Sequence, residues 1–156
     1  GIIYSNYMNT FQFEEGLQRV KTFCDEKKSE VVSPVLIGIY GHPHSGKTEL
    51  ISRLESMIDG RKRIKAGHIN NPRELDYVSD YFKHFQYFFL HLLPSERVLI
   101  EKITLDHLGK IPDLNILIYN PDFTQSLSYI YSWERNIDDL FDFVVENKNS
   151  RVKHIY

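Results

Sequence analysis

The chain has 156 residues, 42% of them hydrophobic and 26% charged, a composition that suits one globular domain with a real core. Nineteen Lys and Arg against 21 Asp and Glu leave a formal net charge of −2 at pH 7. That gives no basic field, so nucleic acid is not an expected partner.

The chain does not open with a basic stretch and an apolar run, so no secretory leader is expected. Residues 11–28 (FQFEEGLQRVKTFCDEKK) place Phe13, Leu17, Val20 and Phe23 at helical spacing and predict an amphipathic helix packed outside the main sheet. Cys24, the one cysteine, reads as a small apolar residue; it excludes an intrachain disulfide and suits the cytoplasm. Residues 1–32 are read as an N-terminal extension with this helix, and 33–156 as the main domain. Val35 to Tyr40 (VLIGIY) predicts a short buried strand.

Directly after that strand, Gly41, His42, Pro43, His44, Ser45, Gly46, Lys47 and Thr48 fit G-x-x-x-x-G-K-[ST]. The pattern has a physical basis. Glycines let consecutive backbone N–H groups turn inward around a multiply anionic phosphate chain, and the following helix adds its positive end. Lys47 would reach the β- and γ-phosphates, and the Thr48 hydroxyl would ligate Mg²⁺. Leu50, Ile51, Leu54, Met57 and Ile58 keep to one helical face until Asp59-Gly60, where the helix is expected to stop. His42 and His44 read as exposed lining of the loop, not as metal ligands.

Residues 61–69 predict a second strand, and NNPREL a turn. Residues 73–93 predict a helix carrying Tyr81, Phe82, Phe85, Phe88, Phe89 and Leu92 on one broad face. Those aromatics read as core in preference to a base pocket. Lys83, His84, Gln86 and His91 interrupt the run, which excludes a membrane span, and the two histidines have no evident metal partner. Pro94-Ser95 would end this helix, with a third strand at Arg97 to Glu101 and a fourth at Leu114 to Tyr119. A helix from Asp122, which would help cap it, to Glu146 and a last strand at 151–156 (RVKHIY) complete the series. Strands alternating with helices predict an α/β three-layer sandwich around a mostly parallel sheet of about five strands.

With the loop in this context, SPVLIGIYGHPHSGKTELISRL resembles the opening of the uridine kinase and phosphoribulokinase-like group of P-loop small-molecule kinases. The resemblance continues at RVLIEKITLDHLGKIPDLNILIYNPD (97–122) and at SYIYSWERNID (128–138), similar to the helical lid segment of that group. It implies a P-loop NTPase fold with strand order 2-3-1-4-5. It also implies Mg·ATP bound through Gly41 to Thr48 and transfer of the γ-phosphoryl group to a small hydroxylated acceptor, such as a nucleoside. In that scheme Lys47 stabilises charge, Thr48 and Glu101 serve Mg²⁺, and Arg135 closes over the phosphates.

The chain departs from the group after the second strand. An aspartate is expected there, but KAGHINNPREL offers His68, Asn70 and Asn71, with no acid before Glu74 and Asp76. Asp76 and Asp80 are the nearest candidate bases. The departure supports a second reading, a degenerate nucleotide-binding module that works through a protein partner. A GTP switch fits less well. DHLG (106–109) lies several residues beyond its strand, and NKNS (147–150) lacks the aspartate that would pair with guanine, so adenine is the expected base. The last predicted strand reaches Tyr156, so one domain of a longer protein is a further reading.

Overall fold

The computed structural model describes residues 9–27, 33–62, 66–122 and 137–148. Its strands are β1 (Thr10–Gln12), β2 (Val35–Tyr40), β3 (Ala66–Ile69), β4 (Tyr87–Leu92), β5 (Leu114–Tyr119) and β6 (Phe143–Glu146). Its α-helices are α1 (Phe13–Lys27), α2 (Lys47–Lys62), α3 (Leu75–Val78), α4 (Arg97–Leu108) and α5 (Ile137–Leu140). All six strands pair in parallel in the order β1-β6-β5-β2-β4-β3. Numbered from β2 onward, five of them run 2-3-1-4-5, the order the resemblance implies, although β4 and β6 hold the third and fifth places in which strands at 97–101 and 151–156 were expected. β1 adds a sixth strand at one edge.

Every residue of β2 and β5 is buried, as a sheet covered on both faces requires. Side chains alternate between two cores. On one face Ile37, Ile39, Phe89, Ile116 and Val145 meet Leu17 and Val20 of α1 and Leu50 and Leu54 of α2. On the other, Leu36, Phe88, Leu90, Leu117 and Val144 meet Leu75, Val78, Ile100 and Leu140. α1 approaches closely: a Cβ at Gly16 would lie 2.6 Å from Val145 Cγ2. Residues 10–27 therefore share the main core, and Cys24 is fully buried in it. Among the described residues no helix is long and apolar enough to cross a membrane.

Four expected elements are corrected. The helix over 73–93 is instead a 3₁₀ turn at Pro72–Glu74, α3, a 3₁₀ turn at Phe82–His84, and β4. A parallel strand buried on both faces carries no alternation, so its aromatic run also satisfied a helical face. The strand at 97–101 is the first turn of α4. Pro94 begins a 3₁₀ turn, Glu96 Oε1 accepts from Leu93 N at 2.7 Å, and Gly109, at φ 75°, ends the helix. These are helix signals surrounding an apolar run that resembles a strand. Of the expected helix over 122–146, residues 123–136 lie outside the described residues, and 143–146 form β6. α2 runs past Asp59-Gly60 to Lys62, since an interior glycine costs a helix only about 1 kcal/mol. The last expected strand, 151–156, lies outside the described residues.

Candidate functional site

β2 is central, flanked by β4 and β5, and its C-terminal end delivers Gly41 into the loop. Gly41 N donates to Leu92 O at 3.0 Å. A Cβ at Gly41 would sit 2.6 Å from the Ile118 carbonyl oxygen, so only glycine allows β2 and β5 this close. Two residues then take left-handed backbone, His44 at φ 69° and Gly46 at φ 107°. For His44, which has a Cβ, this conformation costs on the order of 1 kcal/mol. Leu50 N donates to Gly46 O at 2.9 Å, opening α2, and the first N–H groups of α2 are left without helical acceptors.

Lys47 is only 5% exposed. Its amine donates to the carbonyls of Gly41 and, at 3.1 Å, of Leu92. Burial pushes its pKa down to about 8, partly opposed by the charge of Glu96. Two more polar atoms here, Ser45 Oγ and His42 Nε2, are buried with no hydrogen-bond partner. Burial, then the nearby Lys47 charge, lowers the His42 pKa. The loop thus presents a buried cation and unmet polar atoms at a helix start.

Asn147 holds the loop from the far side. It is 2% exposed, and its Nδ2 donates to Ser45 O at 3.0 Å while its N donates to Tyr119 O at 2.8 Å. Sequence reasoning set NKNS aside because it lacks the guanine-pairing aspartate and so missed this role. The available signal was an asparagine directly after an apolar strand, facing the start of α2.

A cavity of about 1160 Å³ opens beside the loop. Pro43, Lys47 and Thr48 form one wall, Asn70 and Arg73 after β3 another, and Leu93, Leu99 and Ile103 an apolar third. Thr48 Oγ1 lies 3.3 Å from Nε2 of His91 on β4. Burial, then the Lys47 charge, lowers the His91 pKa.

Mg²⁺ takes a nearly all-oxygen octahedron, usually with one or two carboxylates. The group facing Thr48 is an imidazole. Two carboxylates, Glu49 and Glu96, line the cavity, and Glu96 is engaged as a cap by Leu93 N at 2.7 Å. Among the described residues, no three His, Cys, Asp or Glu side chains converge as a metal group. These residues do not supply the donor set Mg²⁺ prefers.

The other expected site residues are dispersed. Glu101 is not at a strand end: it sits in α4, accepts from Arg97 at 3.0 Å, and does not line the cavity. Arg135 lies outside the described residues. Asp76 pairs with His107 at 3.2 Å, Asp80 is exposed, and neither lines the cavity. Phe82 and Phe89 belong to the cores, and Phe85 packs against one of them, as expected. Tyr81 is 44% exposed and only leans on Phe85.

No family model matches the chain, and no curated protein or solved structure matches it at a significant level.

Proposed function

We propose that the domain binds the phosphate chain of a nucleoside triphosphate, ATP in the first instance, through Gly41 to Thr48. We further propose that the cavity beside the loop receives a small hydroxylated acceptor such as a nucleoside, as in the P-loop kinases the sequence resembles. The observation that carries the reading is Lys47: a buried cation beside the cavity whose amine, among the described residues, donates to the Gly41 and Leu92 carbonyls. A phosphate at the start of α2 would meet that amine, the free N–H groups of the first turn and the helix dipole. The strand order is also the one this reading requires.

In this scheme Lys47 draws charge from the transferring group, and Gly41 and Gly46 let the loop turn close against Ile118 and Asn147. Asn147, bonded to Ser45 O, keeps the loop in register. A second reading, binding without transfer, has its own support. Neither Asp76 nor Asp80 reaches the cavity, and an imidazole faces Thr48.

Calorimetric titration with ATP, GTP and ADP tests both readings. ATP should bind, and Lys47→Ala should weaken it by roughly tenfold or more while the protein stays folded. Binding without transfer to a panel of nucleosides and sugars favours the second reading. If no nucleotide binds, both fall.

A further inference from the structure

We infer that the divalent ion accompanying the nucleotide is held by the His91 imidazole and the Thr48 hydroxyl, so that a first-row transition ion serves in preference to Mg²⁺. This rests on the nucleotide-binding reading above.

In loops of this kind the ion lies between the β- and γ-phosphates and the Ser or Thr hydroxyl, with a strand-end aspartate completing its protein ligands. The register of β4 on β2 identifies the equivalent residue here. Ile39 lies opposite His91 and Tyr40 opposite Leu92, so His91 stands one residue before the end of the strand beside the loop. Its Nε2 lies 3.3 Å from Thr48 Oγ1. An ion reaching Thr48 in this pocket therefore meets a nitrogen ligand.

The rest of the pocket suits an imidazole ligand. A neutral imidazole protonated at Nδ1 would keep the Nε2 lone pair, on the side of Thr48, for the ion. His68 has its own carboxylate, Glu55, at 3.0 Å. Imidazole suits Co²⁺, Ni²⁺ and Zn²⁺, and their affinity for nitrogen sites exceeds that of the hard alkaline-earth ions.

The probes are a non-hydrolysable ATP analogue and Co²⁺, both with the wild-type chain. Affinity for the analogue is measured in saturating Mg²⁺, in saturating Co²⁺ and in chelator, for wild type and for His91→Asp. Wild type should bind roughly tenfold tighter with Co²⁺ than with Mg²⁺, and His91→Asp should erase or reverse that ratio. Proton NMR of the wild-type Co²⁺ complex needs no variant and should show a hyperfine-shifted, solvent-exchangeable imidazole N–H. Equal affinity with both ions overturns the inference, as does a ratio unchanged in a folded His91→Asp or a spectrum without that resonance. In each case nucleotide binding survives. No binding in any condition overturns both readings.

Discussion

Two buried cations, Lys47 and Arg97, are handled differently by the same fold. Arg97 is 7% exposed; its Nε donates to the Leu140 carbonyl at 2.6 Å and its Nη1 to Glu101 at 3.0 Å. One partner is a carboxylate, so its charge is balanced within the protein. Lys47 is buried to the same degree but, among the described residues, is bonded to the carbonyls of Gly41 and Leu92. Its hydrogen bonds are to dipoles, and burial, partly opposed by the Glu96 charge, brings its pKa down to about 8. Arg97 joins α4 to the end of α5 as architecture. Lys47 keeps a charge that no carboxylate among the described residues pairs with directly, at a cavity wall, which is where an anionic ligand would gain most.

Arg97→Met should have the largest effect on stability. It leaves the Leu140 carbonyl without its donor, and the expected loss in urea unfolding is about 2–3 kcal/mol. A loss below about 0.5 kcal/mol, the level of an ordinary surface change, would mean that Arg97 is no architectural counterpart to Lys47.

Lys47→Met should show its effect in the pH dependence. The folded-state pKa of about 8 lies below the ordinary lysine value of 10.5. Between those values the unfolded chain binds more protons, so wild-type stability rises with pH across that window. Below pH 8 the cost of the buried charge is constant. The melting temperature of wild type should therefore climb relative to Lys47→Met from pH 8 to pH 10. Parallel curves would show that the Lys47 charge is not strained.

Glu101→Gln should have the smallest effect. The carboxylate is 46% exposed, so its ion pair is worth under about 1 kcal/mol. Nucleotide affinity should not change, because Glu101 does not line the cavity. A marked drop in affinity would return Glu101 to the site and undo the contrast with Lys47.

The loop and its two flanking elements were legible because three signals agreed there. An apolar strand, a glycine pattern and an amphipathic helix follow one another without a gap. β5 was equally plain as a short apolar run between turns. From Tyr81 to Glu101 the signals conflicted. The aromatic run satisfied a helical face although its second half is β4, and Arg97-Val98-Leu99-Ile100 looked like a strand although Pro94 and Glu96 prepare a helix. The misplacement of Glu101 followed from that second error. His91 could not be read as part of the site while it lay on a supposed helix. Its place beside Thr48 comes from strand register, which no local pattern encodes. Asn147 was similarly hidden, since its partner Ser45 lies far back in the chain.

The carbonyls that hold Lys47 come from Gly41 and Leu92, on either side of the β2–β4 pairing. β2 needs both neighbours, Val35 meeting Tyr87 of β4 and Ile37 meeting Leu114 of β5. Such distant pairings are slow to nucleate, because loop-closure entropy must be met before the contacts return anything. The amine therefore has no seat until the centre of the sheet has assembled. In a refolding experiment, a fluorescent nucleotide should bind only with the slowest sheet-forming phase, so that ligand capture times the completion of the fold.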